Sequence, residues 1–395
     1  MTRSLTTLAI ASLLAGAAQA QSADPDPAFN NPDQLSWQLF TLVTQSVPSL
    51  NNVVFETWAS NEDTFQLKKF PGASADPTCA PPVVVASAAA PPPVVVTPTA
   101  SPKILNLSAL APKTPRAPGL QPHVLPGGTE EVRRNEATFD FIFCNKLNTR
   151  AGLRAAFAAG QPISLPTDSM EVKANWMPAD NLSPTDFYVN TASDGKTYAL
   201  VALHLISKQV PNWTWATFEH KDNPGRCDFI GCHDHFGAIV ADVAPHDDNS
   251  PGGAYNPCTK TAALKKMFAD AGLPALWENY CLKGSQVEFV TATGVPTHLG
   301  NSVTEDGFVK TSSCITCHSR ASVLSTGRPP PPPADAGFLS PPPPALCPDG
   351  PQAACSPNGA PNPVWFWKNP GQQNQSLLAL QTDFIWSIPR EATGP

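Results

Sequence analysis

The chain has 395 residues, 42% of them hydrophobic and only 14% charged, with 25 basic against 32 acidic side chains. A formal charge of −7 argues against nucleic acid or anionic lipid as a partner, because both recruit strongly basic surfaces. The length allows one large or two small domains, and much of the high proline content, 46 residues, falls in two tracts that cannot build a core.

Residues 1–20 read as a secretory signal peptide. One early charge, Arg3, precedes an apolar run from Leu8 to Ala18, and Ala18-Gln19-Ala20 supplies the small-x-small cleavage pattern. The run is too short to span a bilayer. Gln21 follows the predicted cut, where a lipid anchor would need cysteine. No later segment is long and apolar enough for a transmembrane helix, so the expected location is periplasmic or secreted.

Residues 21–75 form the N-terminal part of the expected core. Within them 33–47 (DQLSWQLFTLVTQSV) predict an amphipathic helix, with Asp33 as its cap and Leu35, Leu39, Leu42 and Val43 near one face. VVFETW at 53–58 predicts a short strand or buried turn. The Pro/Ala/Val-rich stretch 76–128 predicts a disordered insertion. Residues 129–159 have helical composition, with a break near Asn145–Thr149 and a stop at Gly160. Strand patterning follows. MEVKANW at 170–176 alternates, and segments 186–191 and 197–207 flank Ser193-Asp194-Gly195-Lys196, a hairpin turn. WTWATFEH at 213–220 predicts a further strand.

Residues 221–258, rich in Gly, Asp, His and Cys, read as an irregular loop. Helices are expected over 261–271 and 274–282, a strand over 287–291, and a helical turn over 319–324. The Pro-rich tract 328–344 predicts a linker. The tail 345–395 carries Trp365, Phe366, Trp367 and Trp386, too many aromatics for a free end, and is expected to pack on the core. The predicted fold class is therefore α+β: an antiparallel sheet near 168–220 with helices before and after, forming a core over 129–327.

Cys314-Ile315-Thr316-Cys317-His318 is the most informative motif. It reads C-x-x-C-H, the attachment signature of a c-type haem. Two thiols one short turn apart can each add to a haem vinyl group, and the next residue offers its imidazole to the iron. The motif also admits a redox dithiol or half of a zinc site. With haem c on Cys314 and Cys317, eight of the ten cysteines remain, an even number that suits disulfides in an exported protein. Proximity along the chain favours Cys227–Cys232, Cys258–Cys281 and Cys347–Cys355, leaving Cys79–Cys144.

A second iron ligand must come from upstream, because neither Met nor His follows His318. His220 and His204, on predicted strands in apolar and aromatic surroundings, lead the candidates. Met170, Met177 and His298 follow them, and an open iron is the remaining alternative. The choice matters, since axial ligands and burial move haem potentials over about 0.8 V. Cys227-x4-Cys232-His233 admits a local disulfide or a second haem. Its neighbours His233, Asp234, His235, His246, Asp247 and Asp248 admit a zinc or copper site. Glu219, beside His220, is a candidate proton relay.

The segments SWQLF (36–40), FETW (55–58), MEVKANW (170–176), WTWATFEH (213–220), GVPTHLGNSVTE (294–305) and SSCITCHSRA (312–321) resemble those of exported bacterial cytochrome c-like proteins. The resemblance implies one covalent haem c per chain. It says little about the reaction. The expected role is one-electron exchange with a redox partner protein or enzyme. The alternatives are a haem-dependent oxidase or peroxidase with an open iron, and an exported disulfide-stabilised binding protein without haem.

Overall fold

The computed structural model describes residues 26–47, 52–79, 111–112, 129–180, 182–192, 195–245, 258–306, 308–330 and 359–395. The expected signal peptide, most of both Pro-rich tracts, the expected Cys347–Cys355 pair and His246, Asp247 and Asp248 lie outside the described residues.

Helices α1 (Asp26–Asn30) and α2 (Pro32–Val43) come first. Pro32 opens α2, where its missing N–H costs nothing because first-turn donors are unbonded anyway. The cap position is Asn31, not Asp33. Asp33 lies in the first turn, and its Oδ2 accepts the His235 backbone N–H at 2.8 Å. Strands β1 (Ser46–Val47) and β2 (Asn52–Val53) pair, and a 3-10 turn over Val54–Thr57 leads to β3 (Ala59–Ser60).

An eight-stranded antiparallel sheet organises the rest. Its members are β3, β4 (Ala111–Pro112), β5 (Thr129–Arg134), β6 (Met170–Pro178), β7 (Val189–Thr191), β8 (Thr197–Ser207), β9 (Thr214–His220) and, beyond the short pair β10 (Cys232–His233) and β11 (Asp242–Val243), β12 (Tyr280–Gln286). The order is β12-β9-β8-β6-β5-β3, with β4 also on β5 and β7 on β8. Helices α3 (Glu136–Cys144), α4 (Arg150–Ala159) and α5 (Ala262–Asp270) are each capped by a side chain, from Asn135, Thr149 and Thr261. After α6 (Cys314–His318), β13 (Ser322–Val323) pairs with β16 (Leu380–Gln381). Between those two, β14 (Trp367–Lys368) pairs with β15 (Ser376–Leu377), and α7 (Ser387–Glu391) follows. The fold is α+β.

Several element boundaries depart from the sequence expectation. Residues 129–134, expected as helix, are strand β5. The TEEVRR segment pairs with β6 along six positions, and that ladder overrides helix propensity. The expected helix 274–282 shortens to a 3-10 turn (Ala275–Asn279), and its end becomes β12, displacing the strand expected at 287–291. Residues 322–323 are strand, not helical turn. Within the insertion expected to be disordered, Ala111–Pro112 pairs with Thr129–Glu130.

The two faces of the sheet differ in chemistry. On one face Val172, Leu205 and Ala216 stand side by side, as do Ala174, Leu203, Phe218 and Leu282. Packed against them are α2 and α5 through Trp37, Phe40, Leu264 and Phe268. Burying each such large side chain contributes about 2 kcal/mol. The opposite face carries three rows. Glu171, Ile206, Trp215 and Gln286 form the first; Lys173, His204 and Thr217 the second; Asn175, Ala202, Glu219 and Cys281 the third. Polar groups on alternate strand positions ordinarily meet water. Here Asn175, Thr217, Glu219 and Gln286 are buried, covered by residues 299–320 and the C-terminal tail. Ile385 and Ile388 from that tail join Trp213, Trp215, Ile315 and Val323 in a second core.

Three disulfides clip this frame: Cys79–Cys144, Cys227–Cys232 and Cys258–Cys281. Among the described residues no helix is long and apolar enough to cross a membrane.

Candidate functional site

Cys314, Cys317 and His318 all lie on α6, which rests on the polar face of the sheet. Gln286 of β12 fixes the start of this helix. Its Nε2 donates to Ser313 Oγ at 3.1 Å, and its Oε1 accepts the Ile315 N–H at 3.2 Å. Ile315 is fully buried in the second core. The C-terminal tail fixes the other end. Trp386 Nε1 donates to the Cys317 carbonyl at 3.2 Å, and His318 Nδ1 lies 2.8 Å from the Phe384 carbonyl oxygen. A carbonyl can only accept, so Nδ1 carries the proton and Nε2 keeps its lone pair. The Trp215 ring lies 4.7 Å from the His318 ring, centroid to centroid.

Cys314 and Cys317 are the unpaired cysteines among the described residues; the other six are in disulfides. All three residues are half-buried, and burial is the largest influence on the pKa of each. It pushes Cys314 well above the ordinary thiol range and Cys317 up to about 12, and it pulls His318 down to about 3, with the Lys173 charge adding to the effect on His318.

The surroundings of the motif bear on each chemistry that it admits. A reactive redox dithiol needs a lowered thiol pKa, and both thiols here are raised. A structural zinc site needs four converging ligands. Among the described residues no group of three or more His, Cys, Asp or Glu converges as a metal cage. Haem attachment asks for less: two unpaired thiols and one neutral imidazole whose second nitrogen is anchored. The residues present fit that requirement.

The wall facing α6 is charged. His204 Nε2 lies 3.2 Å from Glu305 Oε1, and Lys173 Nζ lies 3.3 Å from Glu130 Oε1. The Asn301–Glu305 turn closes over the sheet. Asn301 Nδ2 donates to Thr217 Oγ1 at 2.9 Å, and Ser302 N–H donates to Glu219 Oε1 at 2.9 Å. Glu219 also lies 3.7 Å from Lys283 Nζ. Glu219 is thus the anchor of this turn.

The structure separates the two leading candidates for a second ligand. His204 shares the sheet face of Trp215 and sits one row away from it. His220 does not belong to this site. It lies five residues beyond Trp215 on β9, about 16 Å at strand rise, and on the other face. It stacks on Phe187 at 3.6 Å, its Nε2 lies 3.0 Å from the Asp186 carbonyl, and its Nδ1 accepts the Asp222 N–H at 3.3 Å. Both nitrogens are engaged, as in a structural core histidine. Met170 and Met177 are buried in other clusters. His298 is half-buried beside Leu299, whose carbonyl lies 3.4 Å from Cys314 Sγ.

The Cys227-x4-Cys232-His233 segment resolves as a disulfide, so its thiols are not available to a second haem. Its neighbours are spoken for in part. Asp234 accepts from Trp37 Nε1 at 3.0 Å and from the Gly237 N–H at 2.6 Å, while His233 and His235 share the exposed Asp242 carboxylate at 2.9 and 3.2 Å.

Sequence reasoning missed Lys173, Glu305, Asn301, Gln286 and Phe384. The alternation of MEVKANW placed Lys173 on one face with Glu171 and Asn175, and this was the available signal. Comparison with protein-family models, curated proteins and solved structures found no match.

Proposed function

We propose that the chain is an exported c-type cytochrome-like protein that holds one haem through thioethers from Cys314 and Cys317, with His318 Nε2 as an iron ligand and one-electron exchange with a redox partner as its role. The observation that carries this reading is the thiol pattern. The two cysteines of the C-x-x-C-H motif are left unpaired in a chain whose other described cysteines are bonded, and the adjacent imidazole is locked in the tautomer that frees Nε2. Three disulfides also suit an oxidising compartment, consistent with the signal peptide read from residues 1–20.

When bound, the haem supplies the one-electron couple. The chain's own residues hold the imidazole and the helix that would carry it. The Phe384 carbonyl holds the His318 ring, Trp215 packs beside it, and the Trp386 indole pins the end of α6. A site whose ligand ring and helix are held by hydrogen bonds at both ends reorganises little on charge transfer, which suits an electron carrier.

The test is direct. Protein matured in a host that attaches haem c should give one haem per chain in a pyridine haemochrome assay and the mass of a haem adduct. Cys314→Ala with Cys317→Ala should abolish covalent haem. Colourless wild-type protein with the mass of the bare polypeptide would overturn the proposal.

A further inference from the structure

Charge is distributed unevenly along this chain. Segments 141–167, 308–330 and 359–382 together carry seven Lys and Arg and no Asp or Glu, which leaves 18 basic against 32 acidic side chains elsewhere. The fold brings the three segments together. Leu153 of α4, Ile315, Val323 and Leu380 share the second core, and β13 pairs with β16. The Arg320 guanidinium lies 3.6 Å from the centre of the Trp365 ring. The middle segment contains α6.

Arginines gather where α4 meets the turn after β13. Arg150 and Arg154 lie four residues apart, on one face of α4. Arg150 Nη1 donates to the Gly327 carbonyl at 3.0 Å, and Arg154 Nη1 donates to the Pro395 main-chain oxygen at 2.7 Å. A Cβ on Gly327 would lie 2.6 Å from the Arg150 carbonyl oxygen and 3.2 Å from Arg154 Cγ, so the turn sits against both arginines. Arg328 follows, exposed. After burial, its charge is what pulls Arg150 below the ordinary arginine range. Among the described residues no acidic side chain forms an ion pair with Arg150, Arg154 or Arg328. Like charges held together without a counter-charge repel one another, and a partner of opposite sign relieves that repulsion.

The cluster is close to α6. The Ala321 N–H bonds the His318 carbonyl at 3.0 Å, and the Leu324 N–H bonds the Arg328 carbonyl at 2.8 Å. Only three residues of chain, about 10 Å at strand rise, separate Ala321 from Leu324. A standard interface covers about 800 Å² on each partner, roughly 30 Å across, which is enough to include both. From these facts we infer that the face formed by α4 and the Leu324–Arg328 turn is the docking surface for an acidic protein, the redox partner. The redox role of that partner rests on the haem reading above, while the surface itself needs no haem. A compact protein with a local acidic patch meets only the basic face. A nucleic acid strand or an anionic bilayer reaches past it to the acidic remainder of the molecule, which repels it.

The experiment measures binding of fluorescently labelled hexaglutamate, a short stand-in for an acidic protein patch, by anisotropy at low ionic strength. Wild type should bind saturably and release the peptide as salt is added. Arg150→Gln, Arg154→Gln and Arg328→Gln combined should weaken binding about tenfold or more. Arg328→Glu alone, at an exposed position, should also weaken it, and it covers failure of the triple variant to fold. Lys221→Gln, Lys265→Gln and Lys266→Gln combined, an equal change of net charge elsewhere, should leave binding near wild type. In haem-loaded protein, one electron passes from ferrous haem to hexacyanoferrate(III), giving hexacyanoferrate(II). That rate should fall as salt rises, whereas the formal charge of −7 alone would make it rise. The assignment is overturned by any of five results: no hexaglutamate binding, equal weakening in the lysine control, tighter binding to phosphatidylglycerol vesicles or to a single-stranded hexanucleotide, a dimer of the chain that Arg328→Glu dissolves, or a rate that rises with salt. Absence of haem defeats only the earlier reading, because the binding measurement reports on the surface without it.

Discussion

His318 and Phe384 are 66 residues apart, and one hydrogen bond of 2.8 Å ties the imidazole of the first to the carbonyl of the second. Phe384 and its neighbour Asp383 both take left-handed backbone conformations, with φ of 69° and 48°. Non-glycine residues hold such angles only when the surroundings enforce them. The enforcing contacts come from Asp383, whose carboxylate meets Lys208 Nζ at 2.6 Å, the Leu165 N–H at 2.7 Å and Trp213 Nε1 at 3.4 Å. The C-terminal tail therefore belongs to the site.

Asp383→Ala should consequently damage both stability and site. It leaves the nearly buried Lys208 cation without its carboxylate, a loss of about 3–5 kcal/mol. Urea unfolding monitored by tryptophan fluorescence should show the lowered midpoint. An unchanged midpoint would mean that the turn is held by other contacts.

Gln286→Leu should act on the start of α6. It keeps the volume but leaves the Ile315 N–H unsatisfied, a penalty of about 1–3 kcal/mol, while the Ser313 hydroxyl keeps its bond to Thr316 Oγ1. Hydrogen exchange at the Ile315 amide should accelerate by at least an order of magnitude, while exchange in β6 and β8 stays near wild type.

The disulfides should differ in worth. Cys79–Cys144 closes a loop with 65 residues of sequence separation and Cys227–Cys232 one with five. Chain-entropy arithmetic gives about 4 kcal/mol for the former and about 2 kcal/mol for the latter. Paired alanine variants compared by chemical denaturation should keep that order. On the proposed haem reading, Cys232→Ala should also leave haem content equal to that of wild type; a content half that of wild type would show a second attachment site.

Acid should destabilise the protein through His220. Burial holds its folded-state pKa down to about 4, against an ordinary histidine near 6.5. As pH falls below 6.5 the unfolded chain takes up a proton that the folded one refuses, so stability drops until about pH 4. The full loss is about 3 kcal/mol. A His220→Gln variant should lose this part of the pH dependence, measured as the difference in unfolding free energy between pH 7 and pH 4.5. Equal pH slopes in the two proteins would show that His220 is not the group responsible.

By itself the sequence determined the C-x-x-C-H spacing, the α+β class, the Cys227–Cys232 and Cys258–Cys281 pairs and several strands, because each depends largely on residues close to one another along the chain. Thiol spacing and strand alternation are local. The identity of β5 was not legible, since TEEVRR becomes a strand only through its ladder with β6. Nor could the sequence show that His204 and His220 lie on opposite faces of the sheet. Both sit in apolar strand segments, and the decisive facts are which sheet face each occupies and what meets each ring nitrogen. Register settled the first and the Asn301–Glu305 turn settled the second. The same holds for Phe384 at His318 and for a polar sheet face that is buried rather than wet. Hydrogen bonds between groups tens or hundreds of residues apart are set by how layers stack, and only the tertiary structure decides that.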